Sequence, residues 1–226
     1  MLTIILAESE LELIPDEIVM HPTIVSYAKQ RNKKPRAIIL DSSYHHKAMQ
    51  KLSEGNRRGR PDIIHIFLLT ALESIINKIG NLRIIIHTRN NEAINVNSET
   101  RIIRNYPRFI GLIEQLFVKK KITTDGKTLI EIFKNKPLEK IIKEEKYDHL
   151  IIFSFKGKKV KLSSYFKNLK EKNFKNILCI IGGFPHGDFH FDFSKFSNEM
   201  VSIFNDHLTV WTVTNEILVN YENAYL

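Results

Sequence analysis

Ten arginines, all between Arg31 and Arg108, carry the chemistry that this 226-residue sequence writes most plainly. A guanidinium is a planar, permanently charged fork that grips phosphate at two points, whereas lysine is a flexible point charge. Two stretches concentrate the arginines. In Arg57-Arg58-Gly59-Arg60-Pro61-Asp62 a basic, glycine-containing loop runs into a helix start, with Pro61 in the first turn and Asp62 near the positive end of the dipole. Unpaired amides and three guanidiniums suit a phosphate there, and Asp62 is close enough to pair with Arg60 and orient it. A solvated turn in which Asp62 only caps the helix is the competing reading. In Arg101-Ile-Ile-Arg104-Asn-Tyr106-Pro107-Arg108-Phe109 rings are interleaved with bases, a composition that suits unstacked RNA. A continuous helix would put the three arginines on one face, but Pro107 favours Arg101 and Arg104 on an approach loop with Arg108 in the first turn. A surface loop with incidental arginines is the alternative.

A third stretch, Ile177-Leu-Cys-Ile-Ile-Gly182-Gly183-Phe-Pro-His186-Gly187-Asp188-Phe189, reads as a buried strand running into a glycine-rich loop. Ligands of α/β sheets sit beyond the carboxyl ends of strands, and glycines let them approach the backbone. An ordinary tight turn is the plain alternative. The loop continues so that His186, Asp188, His190 and Asp192 alternate, but no complementary ligand cluster exists elsewhere, so no metal is expected. The chain lacks a dinucleotide-binding glycine fingerprint, a Walker loop, a nucleophile elbow and a His-Glu-x-x-His pair, which argues against the common nucleotide, hydrolase and metalloprotease classes.

The elements that must position these stretches alternate between short Ile/Val/Leu-rich runs and longer amphipathic ones. Strands are expected at 2–7, 37–40, 83–87, 128–133, 149–154, 177–181 and 201–204, and helices at 61–76, 107–117, 138–145, 165–171 and 208–225. Near-continuous apolar strands imply a mostly parallel sheet covered on both faces by helices, an α/β domain. Asn90-Asn91 and Asp125-Gly126 read as turns, the second as a hairpin signal.

Composition narrows the classes further. A 43% hydrophobic chain of this length can bury a core, and one cysteine, Cys179, makes neither an internal disulfide nor a cysteine zinc site. A reducing, cytoplasmic setting is therefore expected. The apolar N-terminus is short, lacks a basic lead and runs into Glu8, Glu10 and Glu12, so it reads as a first strand and not a signal peptide. No run approaches bilayer length. The net charge of +9 is unevenly spread: residues 1–50 are neutral, 51–118 carry +4, 119–175 carry +10 through lysine alone, and 176–226 carry −5. The lysine-rich stretch reads as a solvated face, and the arginine block as the place for specific recognition.

Taken together, Arg57–Leu69, His87-Thr88, Glu99–Phe109 and Ile181–Phe189 resemble, in order, the motifs of the Nep/Emg family of ribosome-biogenesis methyltransferases, archaeal branch. The resemblance spans nearly the whole chain. It implies a single SPOUT-class α/β domain over 1–226, with a family-specific extension around 83–135, a C-terminal trefoil knot and a homodimeric assembly. It implies methyl transfer from S-adenosyl-L-methionine to N1 of a pseudouridine in small-subunit ribosomal RNA, with that RNA, a second copy and ribosomal proteins as partners and no membrane. Carried onto this chain, Gly182, Gly187, Ile203, Phe204, Asn205, Asp206, His207 and Leu208 form the cofactor cleft. Arg60, Arg101, Arg104 and Arg108 contact RNA, and Asp62 holds Arg60 as the catalytic pair. Ile103 stands where the family's arginine segment usually carries a proline. No residue stands out as a general base, Asp62 being one candidate. Two other readings stay open: an RNA-binding assembly factor whose methylation is secondary, and a SPOUT enzyme with another target.

Overall fold

Strand β1 (Leu2–Ser9) is buried along its whole length because it lies between two parallel neighbours and under helices on both faces. The computed structural model describes residues 1–196 and 199–226. After β1 come α1 (Pro22–Gln30), α2 (Ser42–Met49), α3 (Pro61–Leu72), α4 (Ile75–Lys78), β2 (Leu82–Thr88), β3 (Ala93–Val96), α5 (Tyr106–Lys119), β4 (Lys121–Thr124), β5 (Lys127–Phe133), α6 (Leu138–Glu144), β6 (His149–Lys159), α7 (Leu162–Glu171), β7 (Ile177–Gly182), β8 (Glu199–Ser202) and α8 (Val210–Tyr225). The strands form one sheet in the order β4-β5-β3-β2-β1-β7-β6-β8. The run β2-β1-β7-β6-β8 is parallel, and β3, β5 and β4 extend it antiparallel.

Side-chain alternation divides the core. Leu2, Ile4 and Leu6 pack with α3, α5, α7 and α8, while Ile5 and Ala7 face α6 and the phenylalanines after β7. A satellite core of Ile14, Ile18 and Ile24 joins α1 and α2 to the body.

The expected parallel α/β sheet is present. Asp125 and Gly126, at φ +49° and +77°, make the β4–β5 hairpin, and the Asn90-Asn91 turn leads into β3, a strand too short to show periodicity. The expected strand at 37–40 is not one: Pro35 starts a 3-10 turn, and only a single bridge joins Leu13 to Ile39. The expected helix at 61–76 is two, because Ser74 accepts from the Asn77 amide and starts α4 afresh. Ile203 and Phe204 lie past the end of β8, and α8 begins after Thr209, whose hydroxyl caps it. Helices α1 and α2 have no counterpart in the sequence reading, being short and polar on most of their surface.

Candidate active site

The carboxyl end of β1 meets the loop after β7 and the start of α3 at residues 7–12. Gly183 N donates to Ala7 O, Glu10 N to Gly183 O and Arg60 N to Glu10 O, at 2.7, 3.0 and 2.9 Å. Three backbone bonds thus tie the glycine loop after β7 to the start of α3. At Gly183 a Cβ would lie 2.3 Å from Ser9 Oγ, and at Gly182 one would lie 2.4 Å from the Phe184 ring, so a side chain at either position displaces Ser9 or Phe184.

The loop 57–62 does not present three arginines. Arg57 and Arg58 are buried, with side-chain exposures of 6% and 8%, and are neutralised by carboxylates from the end of β1. Arg58 forms a bidentate pair with Glu12 at 2.7 and 2.8 Å. Arg57 donates to Glu10 Oε1 and Glu8 Oε2 at 3.0 Å each, and its second fork reaches across to Asp188 O at 2.8 Å. Its guanidinium also lies 3.8 Å from the Phe184 ring centroid. Arg89 completes the cluster on Glu10 at 2.6 Å. The phosphate expectation for Arg57 and Arg58 is corrected accordingly: their forks are spent on Glu8, Glu10 and Glu12.

Glu8 carries the far side of this network. It sits at φ +50°, a conformation unusual for a glutamate, where β1 shifts register. Its carboxylate accepts from the amides of His190 and Phe191 at 2.8–3.0 Å, and its own amide donates to His87 Nδ1 at 3.2 Å. Burial holds the His87 imidazole below the usual histidine range and so neutral, which fits Nδ1 as an acceptor and Nε2 turned to Asn91 Oδ1.

Arg60 alone of the three reaches the open side. Asp62 takes its Nε and Nη2 at 2.8 and 2.7 Å, leaving Nη1 without a partner among the described residues. The hydrogen bonds to Asp62 hold its proton more tightly than usual, against the opposing effect of burial. Arg60 lines a cavity of about 730 Å³ with Gly182, Gly187, Ile203, Phe204, Asp206, His207 and Leu208. Asn205, in the same 203–208 loop, is turned to the Lys159 ammonium. At the cavity rim Phe155 stacks on His207 with centroids 4.4 Å apart.

The second arginine segment has the form that Pro107 favoured. Helix α5 starts at Tyr106, Asn105 caps it by accepting from Arg108 N at 3.1 Å, and Arg101 and Arg104 lie on the approach. All three arginines are exposed and none has a hydrogen-bond or ionic partner among the described residues. The segment itself is anchored. Ile103 O is held 2.8 Å from His65 Nε2 on α3, and Tyr106 Oη donates to Asp41 at 2.6 Å. Burial and that hydrogen bond push the Tyr106 phenol well above its ordinary range, so it stays a donor. The tie to His65 fixes the backbone at Ile103.

The alternating His186, Asp188, His190 and Asp192 diverge. Asp188 accepts from Ser154 Oγ at 3.2 Å, His190 pairs with Glu54, and Asp192 caps Ser194, while His186 lines the cavity.

Residues 4–222 match the profile of the family described as EMG1/NEP1 methyltransferase. The chain belongs to the EMG1/NEP1 methyltransferase family. It is 48% identical over 226 residues to the Methanothrix thermoacetophila protein named Ribosomal RNA small subunit methyltransferase Nep1, covering 100% of this chain and 97% of that protein. The Thermococcus onnurineus protein of the same name is also 48% identical, covering 100% of both. The crystal structure of Archaeoglobus fulgidus Nep1 bound to S-adenosylhomocysteine superposes with a TM-score of 0.85 at 36% identity, covering 98% of this chain and 97% of that one. Within this EMG1/NEP1 chain, the residues that sequence reasoning passed over are Glu8, Glu10 and Glu12. Their spacing of two, at the end of an apolar strand and matched to Arg57, Arg58 and Arg89, is the signal that finds them.

Proposed function

We propose that this chain transfers a methyl group from S-adenosylmethionine to N1 of a pseudouridine in small-subunit ribosomal RNA. One observation carries the reading: Arg60, locked by Asp62, faces the same cavity as the 182–189 and 203–208 loops. The residues present fit the donor. Gly182 and Gly187 bring backbone without side chains to the cavity wall, Ile203, Leu208 and Trp211 offer an apolar wall for a flat ring, and Asp188 and Asp206 are carboxylates for hydroxyl or amino groups. When bound, the donor supplies an activated methyl on a positively charged sulfur.

The rest falls to the protein. N1 of pseudouridine is a weak acid, and losing its proton spreads negative charge onto the ring carbonyls. Asp62 fixes the Arg60 guanidinium before the substrate arrives, so its unpartnered Nη1 faces that charge without reorganising. Arg101, Arg104 and Arg108 supply phosphate contacts that hold the RNA while the target base is splayed into the site. Gly182, Gly187 and residues 203–208 set the donor opposite, which is the positioning part of catalysis.

The reading includes a sheet extension at 83–135 specific to the family, a homodimer with a knotted C-terminus, a cytoplasmic setting and ribosomal proteins as further partners. Residues 189–196 cover the α6 face, β8 takes the sheet edge, and α8 packs on the opposite face. No helix among the described residues is long and apolar enough to cross a membrane.

The test is incubation with S-adenosylmethionine and matched RNA hairpins carrying pseudouridine or uridine. Labelling of the pseudouridine hairpin alone, at N1 by mass spectrometry, is the expected result, and equal labelling of both or of neither overturns it. The three unpartnered arginines favour a second reading, an RNA-binding assembly factor. That reading wins if the biological role survives loss of the cofactor cleft.

A further inference from the structure

Resting on the reading above, one role remains unfilled: a group that takes the proton from N1. Asp62 is poorly suited, because both its oxygens are occupied by the Arg60 guanidinium. Four other side chains lining the cavity are able to accept a proton: His186, Asp188, Asp206 and His207. Asp188 already accepts from Ser154 Oγ at 3.2 Å and Phe189 N at 2.9 Å, and pairs with Lys156 at 3.2 Å. Asp206 accepts from the His207 amide at 2.7 Å, and the His207 ring is stacked on Phe155.

His186 differs from all of these. It is exposed to the cavity, and its imidazole has no hydrogen-bond, ionic or ring partner among the described residues. Its backbone, by contrast, is pinned. Arg57 Nη1 lies 3.5 Å from His186 O and 2.8 Å from Asp188 O, and Gly187 between them sits at φ +84° with Arg57 Nη1 3.1 Å from where its Cβ would be. Arg57 is in turn fixed by Glu8 and Glu10, and it stands three residues before Arg60. A free ring on a fixed backbone, lining the same cavity as a fixed guanidinium, suits a general base.

We propose that His186 is the general base of the reaction and that Arg57 is the residue positioning it. A neutral imidazole nitrogen of His186 takes the N1 proton. The electron pair left on N1 forms the new nitrogen–carbon bond as the sulfur–carbon bond breaks, and the pair from that bond returns to sulfur. The products are N1-methylpseudouridine, S-adenosylhomocysteine and a protonated His186. The positive charge has moved from sulfur to imidazole, and no other reactant is needed.

The experiment compares parent and His186→Ala in single turnover, at saturating S-adenosylmethionine and pseudouridine hairpin, with cofactor and hairpin affinities measured separately. The expected result is a rate lowered about 10²- to 10⁴-fold with both affinities within about twofold of the parent, partly restored by added imidazole. In nitrogen NMR of the folded protein saturated with S-adenosylhomocysteine, the His186 ring signals are expected to shift with a pseudouridine hairpin and not with a uridine hairpin. A variant rate within about threefold of the parent, or a loss explained wholly by weakened binding, overturns the proposal. If the parent methylates N1 while His186→Ala is unimpaired, only the base assignment fails. If the parent does not methylate N1, the underlying reading fails with it.

Discussion

Arg57 and Arg58 lie within three residues of Arg60, yet they have opposite fates from the arginines at 101, 104 and 108. The first pair is buried against three glutamates and serves to join β1 to the loop after β7. The second group is exposed and without partners among the described residues, on a segment whose backbone is tied down at Ile103 and Tyr106. Arg60 stands between them, fixed by Asp62 on two atoms and free on a third. The same residue type acts as scaffold where acids match it and stays exposed and unpaired among the described residues where they do not. Density of arginine along the chain therefore does not tell which guanidiniums are presented to solvent; the absence of matching acids does.

Breaking the buried side should cost the most stability. Arg58→Met takes from buried Glu12 its bidentate partner and leaves it only Arg89, 3.7 Å away, among the described residues, and should lower unfolding free energy by roughly 3 kcal/mol in chemical denaturation. Adding Glu12→Gln should recover much of that. Arg60→Ala, on the boundary, should reduce methylation turnover by about 10²–10³-fold while the melting temperature stays near that of the parent.

The scaffold beside the 101–108 segment should also respond to acid. Burial pushes His45, on α2 next to Asp41, down to about 4, below the usual value of 6.5. The unfolded chain binds this proton and the folded one does not, so its effect on stability is nil above pH 6.5 and grows as pH falls toward 4. At pH 5 the loss should be about 2 kcal/mol, seen as the difference in pH dependence of unfolding between parent and His45→Gln.

The exposed side should show the smallest stability effects and the clearest salt effects. Arg101→Ala should weaken hairpin binding, lower the slope of log affinity against log salt by about one, and change stability by no more than about 0.5 kcal/mol. A loss of stability comparable to that of Arg58→Met would erase the distinction between the two groups.

Much of this division was legible in the sequence, and the remainder has a physical reason. The α/β class followed from apolar runs such as Leu2–Leu6 and Ile177–Ile181, buried on both sides as expected. Pro107 indicated that Arg101 and Arg104 precede the helix, and Asp62 two residues from Arg60 indicated their pairing. The burial of Arg57 and Arg58 was not legible from their own segment, because their partners lie 46–49 residues away. Those partners, Glu8, Glu10 and Glu12, looked like the polar end of a strand. The strand expected at 37–40 fails for a related reason: Ile38 and Leu40 serve the satellite core under α1 and α2, Ile39 serves the main core, and the segment finds one bridge in place of a ladder.

On the proposed function, two ligands are held by separable means, the methyl donor by the loops at 182–189 and 203–208 and the RNA by unmatched arginines. The most direct measurement is the affinity for S-adenosylmethionine and for a pseudouridine hairpin on two variants, Gly182→Val and Arg101→Ala. A side chain at 182 meets the Phe184 ring at 2.4 Å, so Gly182→Val should lose donor binding and keep the hairpin, while Arg101→Ala should do the reverse. Crossed losses are the expected result. Parallel losses of both ligands in both variants would contradict the account.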